Sequence, residues 1–294
     1  MGIKKYSIMH QTTYSYTHPV SISYHIAHCE PISNNIQSCE SFRIEVNPIS
    51  EDMDRGIDYY GNQVHRFSVQ KMHQELIVET HSIVNVQVTA PDISNLTMSC
   101  ADVRNFMEEA LTPELLHVKE FQYPTEITPT FVELKNFIQP IFRDDRPIQD
   151  ALMELLDIFK DDFSFDPNAT DVSTPISEVL KYKKGVCQDY AHLMIAALRC
   201  LGFSAKYVSG YILSFPEEGM PRLEGADASH AWVAIYLPEI GWVELDPTNR
   251  LICSHEHIRV AYGRDYSDVS MLKGAMTGGG KHTVSVAVTV KPAQ

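Results

Sequence analysis

Three residues, Cys187, His230 and Asp246, have the types and setting that nucleophilic chemistry requires. A thiol attacks a carbonyl as thiolate, and the unpaired N–H groups and dipole of a helix N-terminus favour that anion. Cys187 opens the apolar run CQDYAHLMIAALRC, which reads as a helix from about Cys187 to Leu201, stopped at Gly202. Gly185-Val186 ahead of it allows a tight turn that leaves the sulfur at the helix tip. A thiolate next needs a histidine to pair with it and to protonate the departing group, and a carboxylate to fix that histidine. SHAWVAIYLPEIGWVELDPTN supplies both on two alternating segments joined around Pro238 to Gly241, a pattern that predicts an antiparallel hairpin. His230 and Trp232 share one face of the first strand, and Trp242, Glu244 and Asp246 share one face of the second. His230 and Asp246 are thereby free to face the same side, the arrangement a cysteine nucleophile requires.

Each of these residues also has a structural reading. A free cysteine in an apolar run is often a small core residue, a histidine before a tryptophan is often a hydrogen-bonding strand residue, and Asp-Pro is a common turn. What favours chemistry is the joint order of the three on a helix start and two adjoining strands. The backbone N–H of Cys187 is the first candidate for an oxyanion hole. Gln188, Tyr190 and Tyr182 are candidates for a second donor or for lining the cleft, with packing into the core as the alternative for each. Trp232 and Trp242 are candidates to flank an extended substrate, with packing over the sheet as the alternative. Asp265 and Asp268 either border the cleft or hold a turn.

Cofactor chemistry finds no support. Cys187 and His192 are five apart, not the i, i+4 spacing of two ligands on one helical face, which argues against zinc. His10, His18, His25, His28, His65, His73 and His81 are spread among β segments without ligand spacing. EF-hand, Walker A and dinucleotide patterns are absent, so neither a metal nor any other cofactor is expected.

The elements that must position the site come in two textures. The first ninety residues alternate with β-branched and aromatic side chains in KYSIMHQTTYSYT, SFRIEVNPI, HRFSVQ and LIVETHSIVNVQV, with chain reversals at Asn47-Pro48 and a hairpin tip at Asp58 to Asn62. These predict an antiparallel, β-sandwich-like domain over residues 1–95. Residues 96–294 form a second unit: apolar residues three or four apart predict helices within Ser99 to Leu116, Thr130 to Phe142 and Ile148 to Phe159, before the helix at Cys187, a strand from Ala205 to Leu213 and a loop rich in Pro, Glu and Gly. Gly278 to Gly280 reads as a flexible loop before a last strand, HTVSVAVTV.

The whole chain has 294 residues, 44% of them hydrophobic and 21% charged, the balance of a globular protein with a sizeable core. Its formal charge of −14 repels phosphate backbones and anionic lipid, so nucleic-acid and membrane partners are not expected. No apolar run reaches the length of a membrane span, and the N-terminal residues lack a secretory pattern. The six cysteines, 29, 39, 100, 187, 200 and 253, lack CxxC spacing, which fits a reducing compartment and a cytoplasmic location.

GVCQDYAHLMIAALRCLGFSAKYVSGY, ASHAWVAIYLPEIGWVELDPTN and HIRVAYGRDYSDVS resemble the core of the transglutaminase-like superfamily in its bacterial form, and YSIMHQTTYSYTHPVSIS and DYYGNQVHRFSV resemble the N-terminal β domain that accompanies it. The resemblance implies an α+β fold with a papain-like core, a nucleophile helix packed on an antiparallel sheet. It implies Cys187 as nucleophile, His230 as general acid/base and Asp246 as orienting carboxylate, acting on a peptide or protein substrate. The superfamily holds glutamine–amine crosslinking enzymes, peptidases, amidases and members without the cysteine. Peptidase- or amidase-type hydrolysis is the first expectation, because nothing in the sequence identifies a lysine-binding pocket. The alternatives are protein-glutamine γ-glutamyltransferase activity and a non-catalytic binding module with a relic triad.

Overall fold

The protein is described from a computed structural model that covers residues 2–88, 91–94, 96–109, 111–171, 173–213 and 229–293. Strands β1 (Ile3–Ala27), β2 (Gln37–Asn47), β3 (Asp52–Ile57), β4 (Gln63–Val69) and β5 (His73–Gln87) come first. Helices α1 (Cys100–Glu109), α2 (Pro113–Lys119), α3 (Val132–Ile138) and α4 (Ile148–Asp162) follow, then β6 (Ser164–Phe165), α5 (Ile176–Tyr182) and β7 (Lys184–Gly185). The centre of the molecule is α6 (Cys187–Cys200) with β8 (Ala205–Ile212), β9 (Ser229–Leu237), β10 (Gly241–Asp246), β11 (Leu251–Ile252) and β12 (His257–Gly263). The short α7 (Tyr266–Val269) leads into β13 (Leu272–Gly278) and β14 (His282–Pro292). The loop expected after Leu213 lies outside the described residues.

The α+β reading holds. The β region is one curled, seven-stranded antiparallel sheet organised on β1, a single strand of 25 residues. Along β1, Tyr6, Ile8, His10 and Thr12 are buried while Ser7, Met9, Gln11 and Thr13 are not, the period of a strand with one covered face. β5 and β14 flank the first half of β1, and β4 and β13 flank its end. Residues 272–292, expected within the second unit, thus complete the N-terminal sheet, and the division at residue 95 does not extend to the C-terminal strands. Gly278 to Gly280, read as a flexible loop, is instead a pinned bend: φ is 96°, 83° and 64°. His18 N–H donates to Gly279 O at 3.0 Å, and Gly279 N–H donates to Pro19 O at 3.1 Å. The bend matches an irregularity of β1 between Ser15 and Val20, so both strands turn together. The Asp58 to Asn62 tip forms as expected, with Asp58 N–H donating to Asn62 O at 3.0 Å. β3 was missed because DMDRGI carries few strand formers; its exposed charges suit a sheet edge.

The second sheet runs β11-β10-β9-β8-β12, all antiparallel. α6 is apolar on every side, from Leu193 to Leu198 fully buried, and such a helix must lie inside. It packs on β8 and β9 with α3 and α5 alongside. Gly202 ends it at φ 86°, where Gly202 N–H donates to Arg199 O and Phe203 N–H to Leu198 O, a Schellman stop. The first helical stretch is divided, because Thr112 caps a new start at Pro113.

Candidate active site

Cys187 is the first residue of α6, so its N–H has no intrahelical acceptor and points out of the helix tip. Asp189 builds this tip: its Oδ2 accepts from Val186 N–H at 2.8 Å and from the Thr170 hydroxyl at 2.6 Å. Gly185 serves here by close approach, not by a left-handed turn, because a Cβ at this position would lie 2.7 Å from Asp189 Oδ2.

His230 sits near the start of β9 and Asp246 at the end of β10, and the two strands pair as a hairpin. His230 Nε2 lies 2.7 Å from Asp246 Oδ2, and the same imidazole lines one cleft with Cys187, close enough for the sulfur to act on its charge. The structure therefore brings Cys187, His230 and Asp246 into one chain of contacts. Burial alone would lower the His230 pKa, but the hydrogen bonds and charges of Asp246 and Cys187 raise it to about 10. Burial works against the Asp246 carboxylate, yet hydrogen bonds from His230 and His257 hold it well below the usual carboxylate range.

Three residues that sequence reasoning did not single out complete this arrangement. His257 Nε2 lies 3.0 Å from Asp246 Oδ2, and Asn249 Nδ2 donates to the same oxygen at 2.7 Å. Asp246 Oδ1 accepts from the N–H groups of Thr248 at 2.9 Å and Asn249 at 3.1 Å. Tyr207 lines the cleft, and burial together with the nearby Cys187 raises its phenol well above the usual range, so it stays a donor. The only sequence signal for His257 was its place in HIRVAYGRDYSDVS. The ligand atoms of His230, Asp246 and His257 lie within 4.8 Å of one another, a spacing open to a metal ion. Here they are donors and acceptor to each other, and an ion would have to break both N–H···O contacts.

The remaining candidates separate. Gln188 lines the cleft beside Cys187. Tyr190 is 3% exposed and its ring packs between Phe159 and Phe163, so it belongs to the core. Tyr182 is exposed and lies under the Lys181 ammonium, in a separate depression with Thr170 and Glu178. Neither tryptophan flanks the cleft. Trp232 is fully buried with Nε1 donating to Glu244 at 2.7 Å, and Trp242 packs against Phe121 and Tyr236 beneath Lys206. Glu244 is there because Arg259 and Tyr262 also bind it, at 2.9 and 3.0 Å. Asp265 caps α7 by accepting from Ser267 N–H, and Asp268 pairs with Arg264, both turn roles.

The cleft has a volume of about 160 Å³ and lies between the two sheets, with Cys187, Gln188 and His230 on one side and His10, Thr12 and Tyr14 on the other. A wider groove of about 660 Å³, lined by Tyr24, Met53 and Phe67, contains neither Cys187 nor His230, and the chemistry assigns the site to the smaller cleft. Among the described residues no helix is long and apolar enough to cross a membrane.

Residues 6–85 match the bacterial transglutaminase-like N-terminal region, and residues 135–247 match the transglutaminase-like superfamily. An uncharacterized protein of Mycobacterium tuberculosis is 33% identical over 299 residues, 99% of this chain and 94% of the relative. A protein-glutamine gamma-glutamyltransferase of Pseudomonas aeruginosa is 32% identical over 87 residues, 29% of this chain and 13% of that protein. The crystal structure of a Cytophaga hutchinsonii protein proposed to be a cysteine protease superposes with a TM-score of 0.80 at 18% identity, covering 100% of this chain and 92% of the other. A helix that opens on Cys187 and packs on an antiparallel sheet, a β region that shares its cleft, and matches to both parts identify the chain as a member of the bacterial transglutaminase-like superfamily.

Proposed function

We propose that this protein is a cysteine-dependent acyl-transfer enzyme acting on amide bonds, with hydrolysis as its outcome. Its support is the contact chain from Cys187 through His230 to Asp246 at the mouth of the cleft between the sheets. The raised His230 pKa favours an imidazolium beside the sulfur, which is the ion pair a cysteine nucleophile uses.

The Cys187 thiolate adds to the carbonyl carbon, and the N–H of Cys187 stabilises the developing oxyanion. The C–N bond breaks as His230 gives its proton to the departing amine, leaving a thioester on Cys187. Water then attacks the thioester, His230 takes its proton, and the acid leaves with Cys187 returned to thiolate. An amine in place of water would give transamidation, the activity named for the Pseudomonas aeruginosa relative.

Alkylation by iodoacetamide, read for each cysteine by peptide mass spectrometry, tests the nucleophile. Burial raises the other five thiols: Cys29 to about 12, Cys39 and Cys100 to about 11, and Cys200 and Cys253 upward. At pH 7 Cys187 should react at least about tenfold faster than any of them, and His230→Ala should remove the difference. Cys187 reacting no faster than its fellows would overturn the enzyme reading. A screen of peptide amides with and without a primary amine then separates hydrolysis from transamidation by the product mass.

A further inference from the structure

The wall of the cleft opposite Cys187 is made by the seven-stranded sheet. On β1, Thr12 and Tyr14 stand directly across from Val286 and Val284 of β14, and all four side chains line the cleft. Further along the same face Ile8, Val288 and Val290 are sealed against the core at 2%, 0% and 0% exposure. At the cleft the seal opens, and Val284 and Val286 are 48% and 51% exposed. These valines are apolar surface at the mouth of a reactive site, which water covers at a free-energy cost.

His10 holds this wall in place. It is 2% exposed, and its Nδ1 lies 2.9 Å from the Tyr211 hydroxyl of β8 while Nε2 lies 2.9 Å from the Thr12 hydroxyl. One ring therefore ties the wall to the strand that pairs with β9, the strand of His230. Burial lowers the pKa of His10 to about 4, so it is neutral at pH 7. Among the described residues no Asp, Glu, Lys or Arg lines the cleft. The charges of the proposed Cys187–His230 ion pair are taken up by each other, so a charged substrate group placed beside the valines would lose water without gaining a partner of its own.

We propose that Thr12, Tyr14, Val284 and Val286 form a specificity subsite that takes an uncharged, apolar residue next to the amide bond broken at Cys187. This rests on the function proposed above and gives its substrate class: a peptide with a neutral aliphatic residue at this position, in spite of a net charge that attracts cations at long range. The N-terminal sheet is then half of the active site.

The test uses acetyl-aminoacyl chloromethyl ketones carrying leucine, lysine or aspartate, which alkylate a nucleophilic cysteine. Rates at Cys187 are divided by the iodoacetamide rate of the same protein sample. The wild type should favour the leucine probe over the other two by about tenfold or more. Val286→Asp should shift the lysine-to-leucine ratio by about tenfold toward lysine, and Val284→Lys should shift the aspartate-to-leucine ratio by about tenfold toward aspartate. The two variants sit at half-exposed positions and change charge in opposite senses, so a general packing defect cannot mimic both shifts. Equal rates for the three probes, or variants without effect on the ratios, would overturn the subsite while leaving a fast iodoacetamide reaction intact. Slow iodoacetamide labelling of wild-type Cys187 would instead overturn the enzyme reading and the subsite with it.

Discussion

His257 and His230 address one and the same oxygen: their Nε2 atoms lie 3.0 and 2.7 Å from Oδ2 of Asp246. Asn249 adds a third donor to that atom, and two backbone N–H groups saturate Oδ1. Asp246 is fully buried, so five donors replace the water it has lost and keep it ionised. Of the two imidazoles, His230 is the one that also meets Cys187. In the proposed mechanism His257 is accordingly a positioning residue that holds the carboxylate and does not itself line the cleft.

His257→Leu removes one donor from a buried carboxylate and should cost about 1.5–3 kcal/mol of stability. It should also slow alkylation of Cys187 in the folded protein by several-fold and move the pH at which that rate is half-maximal. His257→Gln, which can present an N–H to Asp246, should recover most of the rate. Denaturation curves and iodoacetamide kinetics across pH separate the outcomes: a merely structural role lowers stability and leaves the pH profile in place.

Asp246→Asn turns an acceptor ringed by donors into a group whose own NH2 faces other N–H groups. Breaking a buried charge pair in this way should cost about 3–5 kcal/mol. The raised pKa of His230 depends on Asp246, so the imidazolium is lost near neutral pH and Cys187 alkylation at pH 7 should fall by about tenfold or more. Thermal melts and labelling on the same sample check both, and an unchanged labelling rate would remove Asp246 from the mechanism.

What the sequence revealed, and what it withheld, follows from how local each signal is. Cys187 at a helix start and Gly202 at its end were legible because an apolar run between glycine punctuation is a local pattern. The β9–β10 hairpin was legible for the same reason. Alternation told that His230 and Trp232 share a face, but not that Glu244 and Arg259 bury the tryptophan end of that face. Tyr190 lies one turn into α6, where nothing local distinguishes a cleft from a core. The return of residues 272–292 to β1 is a pairing across nearly the whole chain, and a strand pattern does not carry its partner's address. His257 was one of 13 histidines, and only its distance to Asp246 singles it out.

Gly185→Ala tests the support under the nucleophile. The new Cβ would lie 2.7 Å from Asp189 Oδ2 and 2.8 Å from Asp189 Cβ, displacing the side chain that binds Val186 N–H and Thr170. A loss of about 1–3 kcal/mol is expected, with a slower Cys187 reaction because the helix tip loses its order. Asp189→Ala should produce a similar loss, and the double variant should lose much less than the sum, since both remove the same contacts. Additive losses in the denaturation cycle would show that Gly185 acts through something other than Asp189.

Stability against acid gives the last prediction. Burial lowers the pKa of His10, His25 and His192 from 6.5 to about 4, with His73 adding to the effect at His25. These groups bind protons in the unfolded chain before they do so in the fold. Their contribution is therefore complete above the unfolded value of about 6.5 and is lost as the pH falls toward about 4, at up to about 1.4 kcal/mol per pH unit for each group. Asp246 acts in a separate, lower window: its depressed pKa keeps its contribution intact above the unfolded value of 3.8 and loses it only below that. Urea titrations at pH 7, 6 and 5 should show stability falling steeply with acid well before carboxylates protonate. His192 accepts from Tyr266 N–H at 3.1 Å, a role a glutamine oxygen can fill, so His192→Gln should flatten the pH slope by about one proton. A slope unchanged in His192→Gln would mean that this histidine is already charged in the fold, and that the pH 5 to 6 loss has another source.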